Sequence, residues 1–217
     1  MPVEESRGLL RAKPPPAVGH LTLPLRVALI YGGAVVKTRA LISAPAVLDS
    51  SRSVRVRAIR PTDAAELQRF YAGLSLDSRR TRFLSITAGP NQAQSASFCT
   101  TDHDHQEGFV AVVHQGPAAQ QRIVGHLCLE PDGDAAAEVA IAVADQFQHR
   151  GIGRRLMLAG VAWARSKHIA RLTATMSADN GPIHRLLAGL GLPTHMRYAG
   201  AGVSDITIDL AAQIAAA

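Results

Sequence analysis

The 217-residue sequence predicts a mixed α/β fold of the α+β kind, and three features carry that prediction. An apolar run from Ala137 to Val143 passes through a glycine-bearing loop into a long stretch ending near Lys167, which reads as strand, loop and helix. Two further apolar runs, Phe109 to His114 and Arg122 to Leu129, are joined by turn signals short enough to require antiparallel hairpins. Upstream of both, Leu67, Phe70, Tyr71 and Leu74 recur at helical spacing.

The elements follow in order. Val54, Val56 and Ala58 alternate with Arg55 and Arg57, as in a half-buried strand that stops before Pro61. Pro61-Thr62-Asp63 opens a helix, with Asp63 and Glu66 spaced as a capping pair. A second helix is expected over Asp77 to Leu84 and a weaker one over Asn91 to Cys99. Gly116-Pro117 and Pro131-Asp132-Gly133-Asp134 turn the chain between strands, and Arg171 to Met176 reads as a later strand. Residues 1–52 are different in character. They hold Pro14-Pro15-Pro16 and an apolar segment, Leu21 to Tyr31, broken by Pro24 and Arg26, too short to span a bilayer. The polar lead and the internal arginine do not suit a signal peptide, and Gly32-Gly33 lacks the rest of a phosphate loop, so it reads as an ordinary loop. The expected division is a flexible extension over 1–52 and a folded domain over 53–213.

Composition bounds the function. Hydrophobic residues at 47% and charged residues at 18% supply a core and argue against disorder. The net charge of +6 is concentrated in the extension, where seven Lys/Arg face three Asp/Glu, leaving 16 against 14 in residues 53–217. A nearly neutral domain without basic runs interleaved with aromatics points away from nucleic acid, and no membrane association is expected. Cys99 and Cys128 form no CxxC pattern, so neither a disulfide framework nor a Cys-rich zinc module is available, and a cytoplasmic location is expected.

The informative stretch is Gln148-His149-Arg150-Gly151-Ile152-Gly153-Arg154-Arg155-Leu156. Glycines at a helix start let backbone approach a ligand, and free N–H groups with the positive end of the helix dipole favour an anion such as pyrophosphate. Leu156 occupies the third-glycine position of GxGxxG, so a dinucleotide fingerprint does not fit, and a lone GxG by itself reads more readily as a plain strand-to-helix turn. The segment Gln148-x-x-Gly151-x-Gly153 is similar to the Q/R-x-x-G-x-G/A signature of the GNAT acyltransferase superfamily. Asn180 to Gly191 resembles that family's downstream helix, with Asn180, Ile183, Leu186, Leu187, Gly191 and Leu192 at its marked positions. Val56 to Asp63, Leu74 to Phe83, and Asp102-His103-Asp104 before Phe109-Val110-Ala111 look like the bacterial Pat-type protein lysine acetyltransferases. The resemblance covers about residues 54–210.

It implies a GNAT fold: a mixed sheet of about six to seven strands whose fourth and fifth strands splay, flanked by about four helices. It also implies acetyl-CoA as acyl donor, lying between the splayed strands. Backbone groups of Ile141, Ala142 and Val143 would meet the pantetheine, and loop N–H groups of Gln148, His149, Arg150, Gly151, Ile152, Gly153 and Arg154 the pyrophosphate. Asn180 would contact the pantetheine or adenylate arm, while Arg150, Arg154 and Arg155 either add charge or sit in solvent. No metal is expected, although Asp102-His103-Asp104-His105 with Glu107 superficially looks like a ligand cluster.

A lysine amine with pKa near ~10.4 is less than about one part in a thousand neutral at pH 7, so acylation needs a base. The resemblance gives that role to Glu138, at the start of the strand before the loop; an exposed edge glutamate is the plain alternative. Many relatives place a tyrosine where this chain has Leu187, leaving His184 and Tyr198 as weak candidates to protonate the thiolate. The acceptor is expected to be a protein lysine; a small amine, or a catalytically poor acyl-CoA-binding sensor, are the other readings. Some Pat-type proteins carry a cyclic-nucleotide-binding domain, which 52 residues cannot hold, so no response to such a nucleotide is expected.

Overall fold

A computed structural model describes residues 29–31, 34–36, 46–49, 52–85, 89–115 and 120–211. β1 (Leu29–Tyr31) and β2 (Ala34–Val36) pair with each other apart from the main sheet. The main sheet contains β3 (Ala46–Asp49), β4 (Arg52–Ala58), β5 (Glu107–Gln115), β6 (Gln120–Pro131), β7 (Ala136–Val143), β8 (Arg171–Ser177), β9 (Thr194–Gly200) and β10 (Val203–Asp209). Their order is β3-β4-β5-β6-β7-β8-β10-β9, and β7 with β8 is the parallel pair in an otherwise antiparallel ladder. A parallel pair needs a crossover. Helix α4 (Ile152–Ser166) provides it; the other helices are α1 (Ala64–Ala72), α2 (Leu76–Phe83), α3 (Gln92–Cys99) and α5 (Gly181–Ala188).

Helices cover both faces of the sheet, which explains why β5 reads as an unbroken apolar run. Its Val110 and Val112 pack with Leu67, Phe70, Tyr71 and Leu74 of the α1 side, while Phe109, Ala111 and Val113 pack with Leu156, Met157 and Trp163 of α4. One extra residue on β6 shifts the β5–β6 register, from Ala111↔Gly125 to Val112↔Ile123. At Gly125 a Cβ would lie 2.9 Å from Leu156 Cδ1 and 3.4 Å from Ala111 Cβ, so glycine is what lets α4 seat beside this bulge.

The mixed sheet with its parting strands agrees with the expected fold; among the described residues it has eight strands and five α-helices, the strand β3, drawn from the stretch assigned to the extension, pairing with β4 through Ala46↔Val54 and covering its open edge. One expectation needs correction. Asp63 stands at the N-cap position of α1, but its side chain makes no cap bond to that helix. It sits in a 3-10 turn, accepts from the Arg60 N–H at 2.8 Å, and holds the Arg57 guanidinium at 2.7 and 2.8 Å, while Glu66 pairs with Arg69 at 2.8 Å. Gly32-Gly33 and Gly116-Pro117 lie outside the described residues, as does most of the Leu21 to Tyr31 segment.

Candidate active site

β7 and β8 keep company for three residues, Ala136↔Arg171, Ala137↔Leu172 and Glu138↔Thr173. Beyond Glu138 they part, although β7 runs on to Val143 and β8 to Ser177. β6 holds β7 through register pairs as far as Val143, and β10 holds β8 along its whole length, so neither can bend to close the wedge. The result is a cleft of about 700 Å³.

Backbone polarity follows from register. Ala144 N–H donates to the Val124 carbonyl at 2.9 Å, and Asp132 N–H donates to the Ala136 carbonyl at 3.0 Å, so the even-numbered residues of β7 are turned toward β6. The pleat then turns the N–H and C=O of Val139, Ile141 and Val143 toward the cleft. A linear chain bearing amides can add to such an edge as a further strand. The Val143 carbonyl already accepts the Gln148 side-chain amide at 3.2 Å.

At the wide end of the wedge the loop enters α4. His149 (φ 57°) and Gly151 (φ 75°) both adopt left-handed backbone, and Gly151 is an N-cap without a side-chain cap. Arg155 N–H is the first to close the helix, onto the Gly151 carbonyl at 3.1 Å, which leaves the N–H groups of Ile152, Gly153 and Arg154 free of intrahelical partners. Uncapped donors at a helix N-terminus beside a cleft suit an anion. On the opposite wall Asn180 caps α5, its Oδ1 accepting from Ile183 N–H at 3.3 Å, followed by Ile183, Leu186 and Leu187.

Most residues expected at the site border this cleft: Glu138, Ile141, Ala142, Val143, Gln148, His149, Gly151, Ile152, Gly153, Arg154 and Asn180. Arg150 does not; its guanidinium lies 5.9 Å from the Phe147 ring centre. Arg154 Nε donates to the Gly189 carbonyl at 3.3 Å, and Arg155 reaches the Val54 carbonyl at 2.9 Å, outside the cleft lining. Leu187 lines the cleft in its buried wall. His184 bonds the Ala178 carbonyl at 3.2 Å and exposed Tyr198 accepts from Gly202 N–H at 3.1 Å, both off the lining, so neither is placed to protonate a leaving group.

Glu138 has its exposed side chain at the point where the wedge opens. Directly across, on β6, stands Glu130. Burial raises the Glu130 carboxyl above the usual range, and the nearby Glu138 charge pushes the same way against Arg82. Arg82, reaching in from α2, donates to Cys128 Sγ at 3.3 Å. Burial opposes its charge, yet Tyr71, Cys128 and Glu130 around it keep it firmly protonated. Beneath it, Tyr71 Oη and His126 Nδ1 are 2.8 Å apart in the core. Burial drives the phenol up to about 12 and, with Arg82, drives the imidazole down to about 3. Arg82 and Glu130 went unread because their significance is a cross-strand and cross-helix contact, invisible in local spacing.

The Asp102 to Glu107 stretch is a turn. Asp102 Oδ1 accepts from the N–H groups of Asp104, His105 and Gln106, while His103 Nδ1 lies 3.0 Å from buried Glu107 and Lys167 pairs with Asp104 at 2.9 Å. Among the described residues no group of three His, Cys, Asp or Glu is gathered to hold a metal. No helix of the described residues is long and apolar enough to cross a membrane.

The wedge, the uncapped loop and the carboxylate can be set beside known proteins. An acetyltransferase of Pseudomonas aeruginosa is 27% identical over 146 residues, 66% of this chain and 77% of its own length. The GNAT domain of S. lividans PAT superposes with a TM-score of 0.66 at 24% identity, over 78% of this chain and 98% of that one. A putative acetyltransferase from Salmonella typhimurium, solved with acetyl-CoA, gives 0.54 at 14% identity over 72% and 94%. Both structures share the fold. The family model described as Acetyltransferase (GNAT) family matches residues 75–192, more than half of the sequence, and the chain therefore belongs to the GNAT family of acetyltransferases.

Proposed function

We propose that this acetyltransferase moves the acetyl group of acetyl-CoA to protein lysine ε-amines, with Glu138 as general base. The observation that carries the reading is the position of Glu138, at the last paired step of β7 and β8, where the cleft begins. The donor supplies an activated thioester and a linear, amide-bearing arm. That arm fits the cleft-facing groups of Ile141 and Val143, and its pyrophosphate fits the free N–H groups at Ile152 to Arg154. Glu138 takes a proton from the acceptor ammonium, directly or through one water, so that the neutral amine attacks the thioester carbonyl. A cleft-facing N–H of Ile141 or Val143 stabilises the oxyanion. With Leu187 on the wall, the thiolate departs without a phenol; a thiol pKa near ~8.5 makes that tolerable.

A protein acceptor is favoured over a small polyamine by the rim. The charged residues lining the cleft are mixed, Asp77, Glu138 and Asp179 with Arg82, Arg154 and Arg185, rather than uniformly acidic. Leu84, which lines the cleft at the end of α2, is 41% exposed and gives the approach an apolar border. The likeness to the GNAT domain of S. lividans PAT supports the same choice. The test is isotope-labelled acetyl-CoA added to clarified extract with wild type or Glu138→Gln, separating protein from low-mass products. Label in specific proteins with wild type alone supports the reading; label confined to small molecules contradicts a protein acceptor.

A further inference from the structure

Between α2 and the loop that enters α4 lies a chain of side-chain hydrogen bonds that bears on donor binding. Ser75 caps α2, its Oγ accepting from Ser78 N–H at 3.1 Å. Asp145, seventy residues away in sequence, receives three donors from this turn. Its Oδ2 accepts from Ser75 N–H at 3.0 Å, and its Oδ1 accepts from Ser75 Oγ and Ser78 Oγ, each at 2.7 Å. Burial is the largest single influence on the Asp145 carboxyl and pushes it up, but these bonds together outweigh it and hold the group below its ordinary range, so it stays ionised at neutral pH.

The chain does not end at the aspartate. Because Ser78 Oγ spends its single proton on Asp145, its lone pairs are left to accept, and Gln148 Nε2 donates to it at 3.2 Å. The same Gln148 amide nitrogen donates its second proton to the Val143 carbonyl at 3.2 Å. Both amide protons are thus committed, one to α2 and one to the cleft edge of β7. The Gln148 side chain is fixed between the two, and the backbone from Gln148 to Gly153 begins from that fixed point.

We infer that Ser78 and Asp145 are positioning residues for the donor: through Gln148 they set the conformation of the anion-receiving loop and tie it to the α2 wall. Residues with left-handed backbone at His149 and Gly151 follow directly, and a loop in that conformation needs an anchor at its start. Gln148 supplies the anchor only while Ser78 presents a lone pair rather than a proton, and Asp145 is what dictates that orientation. The inference rests on the reading of the cleft as the acetyl-CoA site, and it is independent of which acceptor is used.

The test measures acetyl-CoA binding calorimetrically, with no acceptor present, on the full chain. Ser78→Ala removes the hydroxyl and is expected to raise Kd about 5- to 10-fold, the loss of roughly one charge-assisted hydrogen-bond link. Ser78→Thr keeps the hydroxyl and is expected to restore Kd to within about 2-fold. Ser75→Ala removes the cap and one bond to Asp145 but leaves the link to Gln148, so it is expected to lower Tm about as much as Ser78→Ala with a smaller change in Kd. Gln148→Ala should weaken binding, and adding Ser78→Ala to it should weaken binding no further. Additive effects of Ser78→Ala and Gln148→Ala, or an unchanged Kd for Ser78→Ala, would overturn the inference while leaving the acetyl-CoA site intact. Failure of the wild type to bind acetyl-CoA would overturn both.

Discussion

Glu107 offers a stability experiment whose sign and window are set by the structure. The side chain is 3% exposed, and burial raises its pKa from 4.5 to about 9, against the single opposing bond from Gly108 N–H to its Oε1 at 3.0 Å. At neutral pH the folded protein therefore holds a proton on Glu107 that the unfolded chain has released. Stability from this group is fully present below pH 4.5 and is lost as pH rises toward about 9. Within that window the slope is about 1.36 kcal/mol per pH unit, so from pH 6.5 to 8.5 the loss is up to roughly 2.7 kcal/mol. Other shifted groups, Glu130 with its raised carboxyl among them, are common to wild type and a variant at this one position, so they cancel in the difference. His126 changes protonation below about 6.5, and Cys99 and Tyr71, both pushed up to about 12 by burial, act only above the window. Glu107→Gln keeps an oxygen at the Oε1 position, where Gly108 N–H donates at 3.0 Å and His103 Nδ1 also lies at 3.0 Å, but cannot titrate. Urea unfolding at half-unit steps from pH 6.5 to 8.5 should show wild type losing stability relative to Glu107→Gln. Parallel curves would refute the claim that Glu107 is buried in its neutral form.

Three further outcomes follow from single residues. His126 shows the opposite sign: with its folded pKa near 3, stability should fall as pH drops below 6.5, and His126→Gln, which can still accept from Tyr71, should flatten that fall in urea melts between pH 6 and 4. Gly108→Ala would put a Cβ 2.6 Å from Ile59 Cγ2 and 3.2 Å from Ile59 Cβ, both close to a buried backbone, and should cost about 1–3 kcal/mol in denaturant unfolding. Gly151→Ala meets no atom within 4 Å, so its cost comes from φ alone, about 1–2 kcal/mol in the same assay, with weaker acetyl-CoA binding as the loop relaxes.

Local pattern and long-range contact divide what was legible in the sequence. In the stripe, Leu67, Phe70 and Tyr71 became a buried helix face with Leu74 buried just beyond its end, and the Gly151-x-Gly153 turn became an uncapped helix entry, because periodicity and glycine placement act within a few residues. Asp63 takes the N-cap position of α1, but its carboxylate serves the Arg60 N–H and Arg57 instead of that helix, and Arg57 is a partner fixed by strand β4 rather than by helix spacing. The pair Glu130 and Glu138 depends on hairpin register, and Asp145 with Ser78 depends on how α2 docks, 67 residues from its partner. For Arg150 both a charge toward the cleft and an exposed surface position were open, and the side chain takes the second, its exposed guanidinium lying 5.9 Å from the Phe147 ring centre.

The measurement that bears most directly on the central claim compares wild type with Glu138→Gln in two assays on one preparation: acetyl-CoA Kd by calorimetry, and the single-turnover rate of acetyl transfer to a lysine-bearing protein. Glutamine keeps the shape of the side chain at the mouth of the wedge and removes its basicity. The account predicts a Kd unchanged within about 2-fold and a transfer rate lowered about 10²- to 10⁴-fold. An unchanged rate would contradict the assignment of Glu138 as the base.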